Sequence, residues 1–168
     1  MHETNRIFFN FIIRTPLKKL AHCEWDISSN QDNSTTAVLY WKDGGYTIKI
    51  SGQTMIDFDC TENQIAWHLL QNESTGWYIQ PQNIVLEEGV SNIGKYSFAD
   101  LSSIERVVIP KTITTIDDYA FLNCLEIETI NYNGTIEEWN AIILGKGWNK
   151  GTRINQIICT NGNIIVNN

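Results

Sequence analysis

The stretch that decides the fold is residues 84–129, where the sequence repeats once without a gap. Residues 84–106 read IVLEEGVSNIGKYSFADLSSIER, and residues 107–129 read VVIPKTITTIDDYAFLNCLEIET. At this offset of 23 residues the identical positions are Val85/Val108, Ile93/Ile116, Tyr96/Tyr119, Phe98/Phe121, Ile104/Ile127 and Glu105/Glu128. A fixed period of this length predicts stacked structural units, because like side chains then meet in a continuous core.

Each unit opens with a short β-forming run, at 84–86 and at 107–109, and Pro110 ends the second run because it has no amide hydrogen to donate. We expect these strands to stack in parallel and the rest of each unit to return as a helical turn or irregular arc. Phe98 and Phe121 then occupy equivalent interior positions in consecutive coils of one right-handed spiral. A third, degraded unit continues the phase through Ile130, Tyr132, Ile136 and Trp139.

The flanks predict the caps that two units need in order to bury a continuous core. On the N-terminal side, β-forming runs at 37–41 and 46–50 surround residues 42–45, which end in two glycines that suit a hairpin turn. Thr61 and Gln64 then form a capping box for a following helix.

On the C-terminal side, Thr135 and Glu138 make a second capping box, which begins a helix that we expect Gly145 to end. Residues 154–160 and 164–166 then predict a closing hairpin. The whole pattern predicts an α/β solenoid, a short array of parallel strands with β-hairpin and helix caps at its N- and C-terminal ends.

Composition and charge narrow the classes of function. The 168 residues fit one domain, and 42% hydrophobic residues with 18% charged residues is ordinary for a globular protein. The net charge of -7 and a pI near 4.9 argue against nucleic-acid binding, because phosphate contacts need clustered Lys and Arg. The four cysteines include no CxxC pair, so local spacing builds neither a zinc ribbon nor a thioredoxin-type motif.

Residues 1–36 form a separate N-terminal segment of unknown role, either a docking piece or a cap strand. Its apolar run IFFNFII at 7–13 is interrupted by Asn10 and followed by Arg14 rather than by a small-residue cleavage site, unlike a signal peptide. The run is too short to span a bilayer, and we interpret it as a buried strand. Without an export signal, we expect the chain to be cytoplasmic or assembled into a particle or surface structure.

Candidates for a metal site are few. Adjacent side chains on a strand point to opposite faces, which disfavours a metal corner built from His22, Cys23 and Glu24 with Cys60. The histidines, which lie in no recognisable catalytic motif, are His2, His22 and His68. We therefore predict no metal and no cofactor.

Two acidic residues and the tryptophans are the remaining chemical candidates. Asp57 and Asp59 can share one strand face as the acid pair of a hydrolase, although a polar loop edge is the commoner setting, and we predict no enzymatic activity. Tryptophan rings can stack on carbohydrate, but these lie outside the repeats and we expect them to pack the caps. They are Trp25, Trp41, Trp67, Trp77, Trp139 and Trp148.

The repeats and their flanks resemble BspA-like leucine-rich repeats. The segments EEGVSNIGKYSF at 87–98 and VVIPKTITTIDDYAFLNC at 107–124 fit the 23-residue I-x-I-P, V-x-x-I-x-x-x-A-F-x-x-C pattern of that family. Similar to its flanking sequences are GGYTIKISGQTMIDF at 44–58, INYNGTIEEWNAI at 130–142 and IICTNGNI at 157–164. The resemblance defines a domain at 37–168, with repeats at 84–106 and 107–129, a partial third from 130 and a C-terminal cap at 135–168.

The resemblance implies protein binding, because the family is associated with adhesion and protein binding on bacterial and some protist surfaces, and it implies no catalytic residues. The candidate surface is the outer face of the parallel strands, where alternation turns every second side chain outward. Its residues are Val85, Glu87, Arg106, Val108, Thr129 and Asn131.

We predict a non-enzymatic protein–protein interaction module with an unidentified protein partner, no nucleic acid and no membrane span. Formation of a homo-oligomer or incorporation into a larger assembly stays open. The alternative function is that of a structural component, such as part of a bacteriophage virion or a surface appendage, docked through the N-terminal segment.

Overall fold

The computed structural model describes residues 22–28, 34–42, 44–58 and 80–166. Within these ranges the chain forms strands and one short helix, α1, at Ile136–Asn140. The strands are β1 (His22–Asp26), β2 (Thr35–Lys42), β3 (Gly45–Gly52), β4 (Pro81–Leu86), β5 (Asn92–Ile93), β6 (Arg106–Ile109), β7 (Thr115–Ile116), β8 (Thr129–Tyr132), β9 (Ile143–Leu144), β10 (Gln156–Cys159) and β11 (Gly162–Ile165). The apolar run at 7–13 and the helix expected after Thr61 lie outside the described residues. Over the described ranges, no helix has the length and apolarity needed to cross a bilayer.

Most strands belong to one main sheet, whose order is β1-β2-β3-β4-β6-β8-β10-β11. Its central strands β3, β4, β6, β8 and β10 run parallel, as expected for the opening strands of stacked units. Antiparallel pairs complete the sheet, with β1, β2 and β3 at one side and β10 with β11 at the other. Both predicted hairpins are therefore present. A second sheet contains three short parallel strands in the order β5-β7-β9.

The 23-residue period builds the core by stacking like side chains on like. Ile84, Val107 and Ile130 are in register on β4, β6 and β8, and all three are fully buried. The buried rings of Phe98 and Phe121 stack with their centroids 5.4 Å apart. Such a ring pair stabilises a fold by about 0.5–1.5 kcal/mol beyond the effect of area burial. The predicted equivalence of the two phenylalanines is confirmed.

The chain returns between strands through hydrogen-bonded turns. Asp100 and Asn123 take positive φ angles of 61° and 58°, a conformation that these residue types tolerate better than most. The side-chain amide of Asn123 donates to the carboxylate of Asp100 at 2.8 Å, which joins the two turns. The backbone amide of Phe98 donates to the carbonyl of Ala120 at 2.8 Å, so the turns of successive units form a ladder of their own.

The third unit keeps the predicted phase only as far as Tyr132. Its capping box is present: the Thr135 amide donates to the Glu138 carboxylate at 2.7 Å, and the Glu138 amide donates to the Thr135 hydroxyl at 3.3 Å. The helix ends at Asn140, however, so the expectation that Gly145 ends it is wrong.

The insertion of α1 moves the rest of the third unit along the chain. Ile116 pairs with Leu144 in the second sheet, not with Trp139. The carbonyl of Ile116 accepts a hydrogen bond from the Gly145 amide at 2.7 Å, which draws this segment into the second sheet. The predicted phase is therefore wrong for Ile136 and Trp139, which lie in α1.

An additional unit precedes the first repeat that the period reveals. β3 pairs with β4 and places Ile48 beside Ile84 in the core. Farther along, the Met55 amide donates to the side-chain oxygen of Asn92 at 2.8 Å, and the side-chain amide of Asn92 donates to the Met55 carbonyl at 3.0 Å. The spacing of this unit differs from 23 residues, which is why the period does not show it.

Candidate protein-interaction face

Strand alternation gives the main sheet two different sides. On β6, Val107 and Ile109 point into the core and are fully buried, whereas Arg106 and Val108 point away from it. The same alternation holds on β4 and β8, where Val85 and Asn131 are the half-buried residues between buried neighbours. We call the side away from the core the outer face.

The central row of the outer face crosses five parallel strands. The register places Lys49, Val85, Val108, Asn131 and Ile158 side by side on β3, β4, β6, β8 and β10. Strands about 4.8 Å apart give this row a span of about 20 Å. Ile158 is 38% exposed, and the residues between it and Lys49 are half-buried. The row is an apolar strip with an amide within it and a cation at one end.

A second row of polar side chains runs beside the central row. The register places Asn83, Arg106, Thr129 and Gln156 side by side on β4, β6, β8 and β10. Arg106 is exposed, and no ion pair between described residues involves it. Its neighbours in the row carry only amide and hydroxyl groups. The guanidinium is therefore available to a carboxylate or carbonyl oxygen of another molecule.

The acidic residue at the border of the face is held by two neighbours. The Glu87 carboxylate accepts a hydrogen bond from the Ser51 hydroxyl at 2.6 Å and pairs with the Lys49 ammonium at 3.2 Å. The Ser51 hydrogen bond lowers the pKa of Glu87, and Lys49 lowers it further, against the opposing effect of burial. Glu87 and Lys49 therefore neutralise each other near neutral pH, while Arg106 keeps its charge for a partner.

The structure brings the six residues predicted for the binding surface onto one face. They come from β4, β6 and β8 and from the residue directly after β4. Three of them form the middle of the central row, two belong to the second row, and one lies at the border. They are Val85, Val108 and Asn131, then Arg106 and Thr129, and Glu87. Their role in binding stays a prediction.

Sequence reasoning missed the residues that the hairpin strands add to this face. Lys49 on β3 and Ile158 on β10 extend the central row at its two ends, and Gln156 extends the second row. Alternation within each hairpin identifies such outward positions. It does not reveal which repeat strand each hairpin strand pairs with, because these pairings do not follow the 23-residue period.

Comparison with known proteins decides the family. The family model of the BspA type leucine-rich repeat region, described as holding six copies, matches residues 77–161, which is half of the chain. The chain belongs to this family. The matched range starts before β4 and ends in the turn of the C-terminal hairpin, so this BspA-type domain includes more than the two repeats that the period shows.

A solved structure shares the fold of this BspA-type domain. A leucine-rich repeat protein from Eubacterium ventriosum has 18% sequence identity to it and superposes with a TM-score of 0.52. The superposition covers 82% of this chain and 37% of that protein, so the chain spans little more than a third of the relative's length. None of the curated proteins compared with the chain matches it. Leucine-rich repeat domains generally mediate protein interactions and are typically non-enzymatic.

The acid pair considered for a hydrolase is only partly described in this BspA-type domain. The carboxylate of Asp57 accepts a hydrogen bond from the Lys95 backbone amide at 2.8 Å, beside the end of β5, and Asp59 lies outside the described residues. Burial raises the pKa of Asp117, and the nearby charge of Asp57 raises it further. Across the described ranges, no group of three or more His, Cys, Asp or Glu side chains is arranged to hold a metal ion.

The described thiols belong to the core. The sulfur of Cys124 donates to the Phe98 carbonyl at 2.9 Å, and burial raises the pKa of this thiol to about 12. Cys124 is therefore un-ionised at neutral pH and unreactive, as expected from its place in the repeat. The structure does not describe the side chains of the residues considered for a metal corner or those of the other histidines. These are His2, His22, Cys23, Glu24, Cys60 and His68.

Two tryptophans pack the C-terminal end of the stack as expected. Trp139 is buried and meets Trp148 edge-on with centroids 6.2 Å apart, and Trp148 meets Phe121 at 6.3 Å. Trp41 contacts Tyr46 edge-on at 4.9 Å but is mostly exposed. The side chains outside the description are those of Trp25, Trp67 and Trp77.

Proposed function

We propose that the protein is a non-enzymatic protein-interaction module that binds a protein partner with its outer face. Membership of the BspA type leucine-rich repeat family supports an interaction role. The register of Val85 with Val108 supports this face as the surface, because it sets two outward apolar side chains next to each other on adjacent strands. An apolar patch bordered by polar groups is the usual make-up of a protein interface.

The two rows of the face contribute differently to binding. Contact with Val85, Val108 and Ile158 stabilises a complex by about 25 cal/mol for each Å² of apolar surface removed from water. Arg106 contributes to the specificity of the contact, because its planar guanidinium group can donate hydrogen bonds to both oxygens of one carboxylate. The partner surface that fits best is therefore apolar with one acidic side chain placed opposite Arg106.

The Glu87 cluster favours binding by being ordered in advance. Ser51 and Lys49 already fix the Glu87 side chain in the unbound protein. A side chain that is fixed before binding loses less conformational entropy in the complex. This cluster therefore defines one border of the interface at little entropic cost.

The hairpins enlarge a face that the repeats alone leave small. A stable interface needs about 800 Å² from each partner, and the three repeat strands together span only about 10 Å. Lys49 on β3 and Ile158 on β10 lengthen the central row beyond those strands. We infer that the two hairpins act both as caps of a short solenoid and as parts of its binding surface.

Affinity capture from the native source, read by mass spectrometry, tests the proposal when face variants are compared. The face variant combines Arg106→Glu with Val108→Lys, two outward positions whose exchange leaves the core intact. The matched control is Leu125→Lys, because Leu125 is an exposed apolar residue, 48% accessible, away from the strands of the main sheet. We expect the face variant to capture at least about tenfold less of the partner than the wild type does, and the control to capture the same amount as the wild type.

Circular dichroism first establishes that the three proteins have the same secondary structure. A partner that the folded face variant retains, or that the Leu125→Lys control loses, would show that binding uses a different surface.

A further inference from the structure

Among the described residues, no strand pairs with the outer edge of β11, the last strand of the main sheet. The Val166 amide donates to the Asn155 carbonyl at 2.9 Å, which identifies these two residues as a hydrogen-bonded pair of the antiparallel register. Bonded and non-bonded pairs alternate along such a ladder. The backbone groups of Ile164 therefore face β10, and those of Asn163 and Ile165 face outward from the edge of the sheet.

This edge lacks the usual protection against pairing with another chain. Natural edge strands carry charged side chains, proline or a bulge that prevents edge-to-edge association. Residues 154–168 include no Asp, Glu, Lys, Arg or Pro, although the whole chain has a net charge of -7. The register of β10 with β11 is also free of a bulge. Within the described part of the chain, the feature that limits its pairing is the short length of β11, four residues.

Exposed apolar side chains collect at the same end of the stack. Of the six large apolar residues that are exposed among the described residues, four lie between β9 and β11. Ile165, at 67% exposure, and Ile158 lie diagonally across β10 and β11 on the outer face. Side chains in this relation are about 7 Å apart, so they form one patch. The other two are Ile143 and Leu144 on β9, the edge strand of the second sheet.

We propose that the β11 edge binds the β11 edge of a second copy of this chain, antiparallel about a two-fold axis. The distribution of charge favours pairing of two β11 edges over pairing of β11 with the β1 edge at the other end of the sheet. Pairing with the opposite edge would bring Asp26 of β1 against a segment that contains no Lys or Arg. Pairing of two β11 strands brings only uncharged residues together, so two acidic molecules meet where neither carries charge.

The arrangement joins the two main sheets into one continuous sheet. A two-fold axis perpendicular to the sheet keeps both outer faces on the same side, and Ile165 of each copy then lies at the shared edge beside β11 of the other copy. Because each β11 has only four residues, the contact is smaller than a standard interface and the affinity is expected to be micromolar or weaker. The dimer presents two interaction faces side by side, and its existence does not depend on what those faces bind.

Sedimentation velocity and light scattering on the full chain, from low micromolar to millimolar concentration, test this proposal. We expect a reversible increase in mass from 19.2 kDa to twice that value and no further. Because the interface contains no charge, added salt should leave the dimer unchanged or strengthen it by screening the repulsion between the two acidic chains. A mass of 19.2 kDa at every concentration would overturn the proposal.

Ile165→Lys is the decisive variant, since it places two cations at the shared edge. We expect it to raise the dissociation constant of the dimer at least about tenfold. Leu125→Lys, which adds the same charge elsewhere, should dimerise like the wild type. Ile165→Thr keeps the β-propensity and removes part of the apolar surface, so it should give an intermediate constant. Equal dimerisation of Ile165→Lys and wild type, or growth of the mass beyond a dimer, would contradict edge pairing.

Discussion

Phe121 connects three neighbouring units of the stack. Its ring stacks on Phe98 with centroids 5.4 Å apart, meets Trp148 edge-on at 6.3 Å and has no exposed surface. A protein interior packs as densely as an organic crystal, so the surrounding side chains cannot close a space of this size. Loss of this one ring therefore weakens the contacts of the units before and after it.

We expect Phe121→Ala to lower the free energy of unfolding by about 3–5 kcal/mol in urea denaturation. Leu125→Ala is the control, because Leu125 is exposed and its truncation should change stability by less than about 0.5 kcal/mol. Phe121→Leu, which fills part of the space, should lie between the two and remains measurable if the alanine variant does not fold. Similar stabilities for all three variants would show that the ring stack contributes little.

At the scale of elements, α1 is where the repeat meets the C-terminal hairpin. Thr135 and Glu138 cap its first turn through two reciprocal hydrogen bonds. The side-chain oxygen of Asn161, in the turn between β10 and β11, accepts a hydrogen bond from the Ile136 amide at 2.9 Å. The start of α1 is thus fixed from both its own sequence and the hairpin, which orients β11 relative to the stack.

Removal of the Thr135 hydroxyl tests the contribution of the capping hydrogen bond to stability. Thr135→Ala should lower the free energy of unfolding by about 1 kcal/mol, because the Glu138 amide loses its acceptor. Thr135→Ser keeps the hydroxyl and should remain within a few tenths of a kcal/mol of the wild type, about the spread among good capping residues. Urea denaturation of the three proteins provides the measurement, and equal losses for Ala and Ser would exclude the hydroxyl as the cause.

The elements that the sequence predicted are those set by local rules or by the period. The β-forming run of Ile84, Val85 and Leu86 predicts a strand, and the 23-residue offset predicts its parallel neighbour, so β4, β6 and β8 and the middle of the outer face could be predicted. The capping box at Thr135 also acts within one turn of chain. These features need no knowledge of the rest of the fold.

The elements that the sequence did not predict depend on contacts between segments that do not repeat. α1 is too short for its end to follow from helical periodicity, and the Gly145 amide bonds to Ile116 instead of continuing a helix. β3 pairs with β4 at a spacing that differs from 23 residues, so the repeat period does not predict that Lys49 lies beside Val85. The outer face was therefore predicted in its centre and missed at both ends.

On the scale of the whole molecule, the non-repeating ends belong to the same core as the repeats. One continuous cluster of buried side chains runs from Ile27 and Ile48 through the repeat isoleucines to Ile157. Ile48, Ile84, Val107, Ile130 and Ile157 lie in register across five parallel strands. In a stacked array, stability is set mainly by contacts between neighbouring units, and a short array with few such contacts unfolds as one unit.

We therefore expect a single cooperative unfolding transition for the whole chain. Ile48→Ala near the N-terminal end and Ile157→Ala near the C-terminal end should each lower stability by about 2–5 kcal/mol. Because both residues belong to one core, each variant should shift the same transition and leave it single. Far-UV circular dichroism reports the backbone of all strands, and tryptophan fluorescence reports the surroundings of the indole rings, which include the packed pair Trp139 and Trp148. Coincident midpoints from the two probes are the expected result, whereas a variant that separates them would show that its end of the stack unfolds on its own.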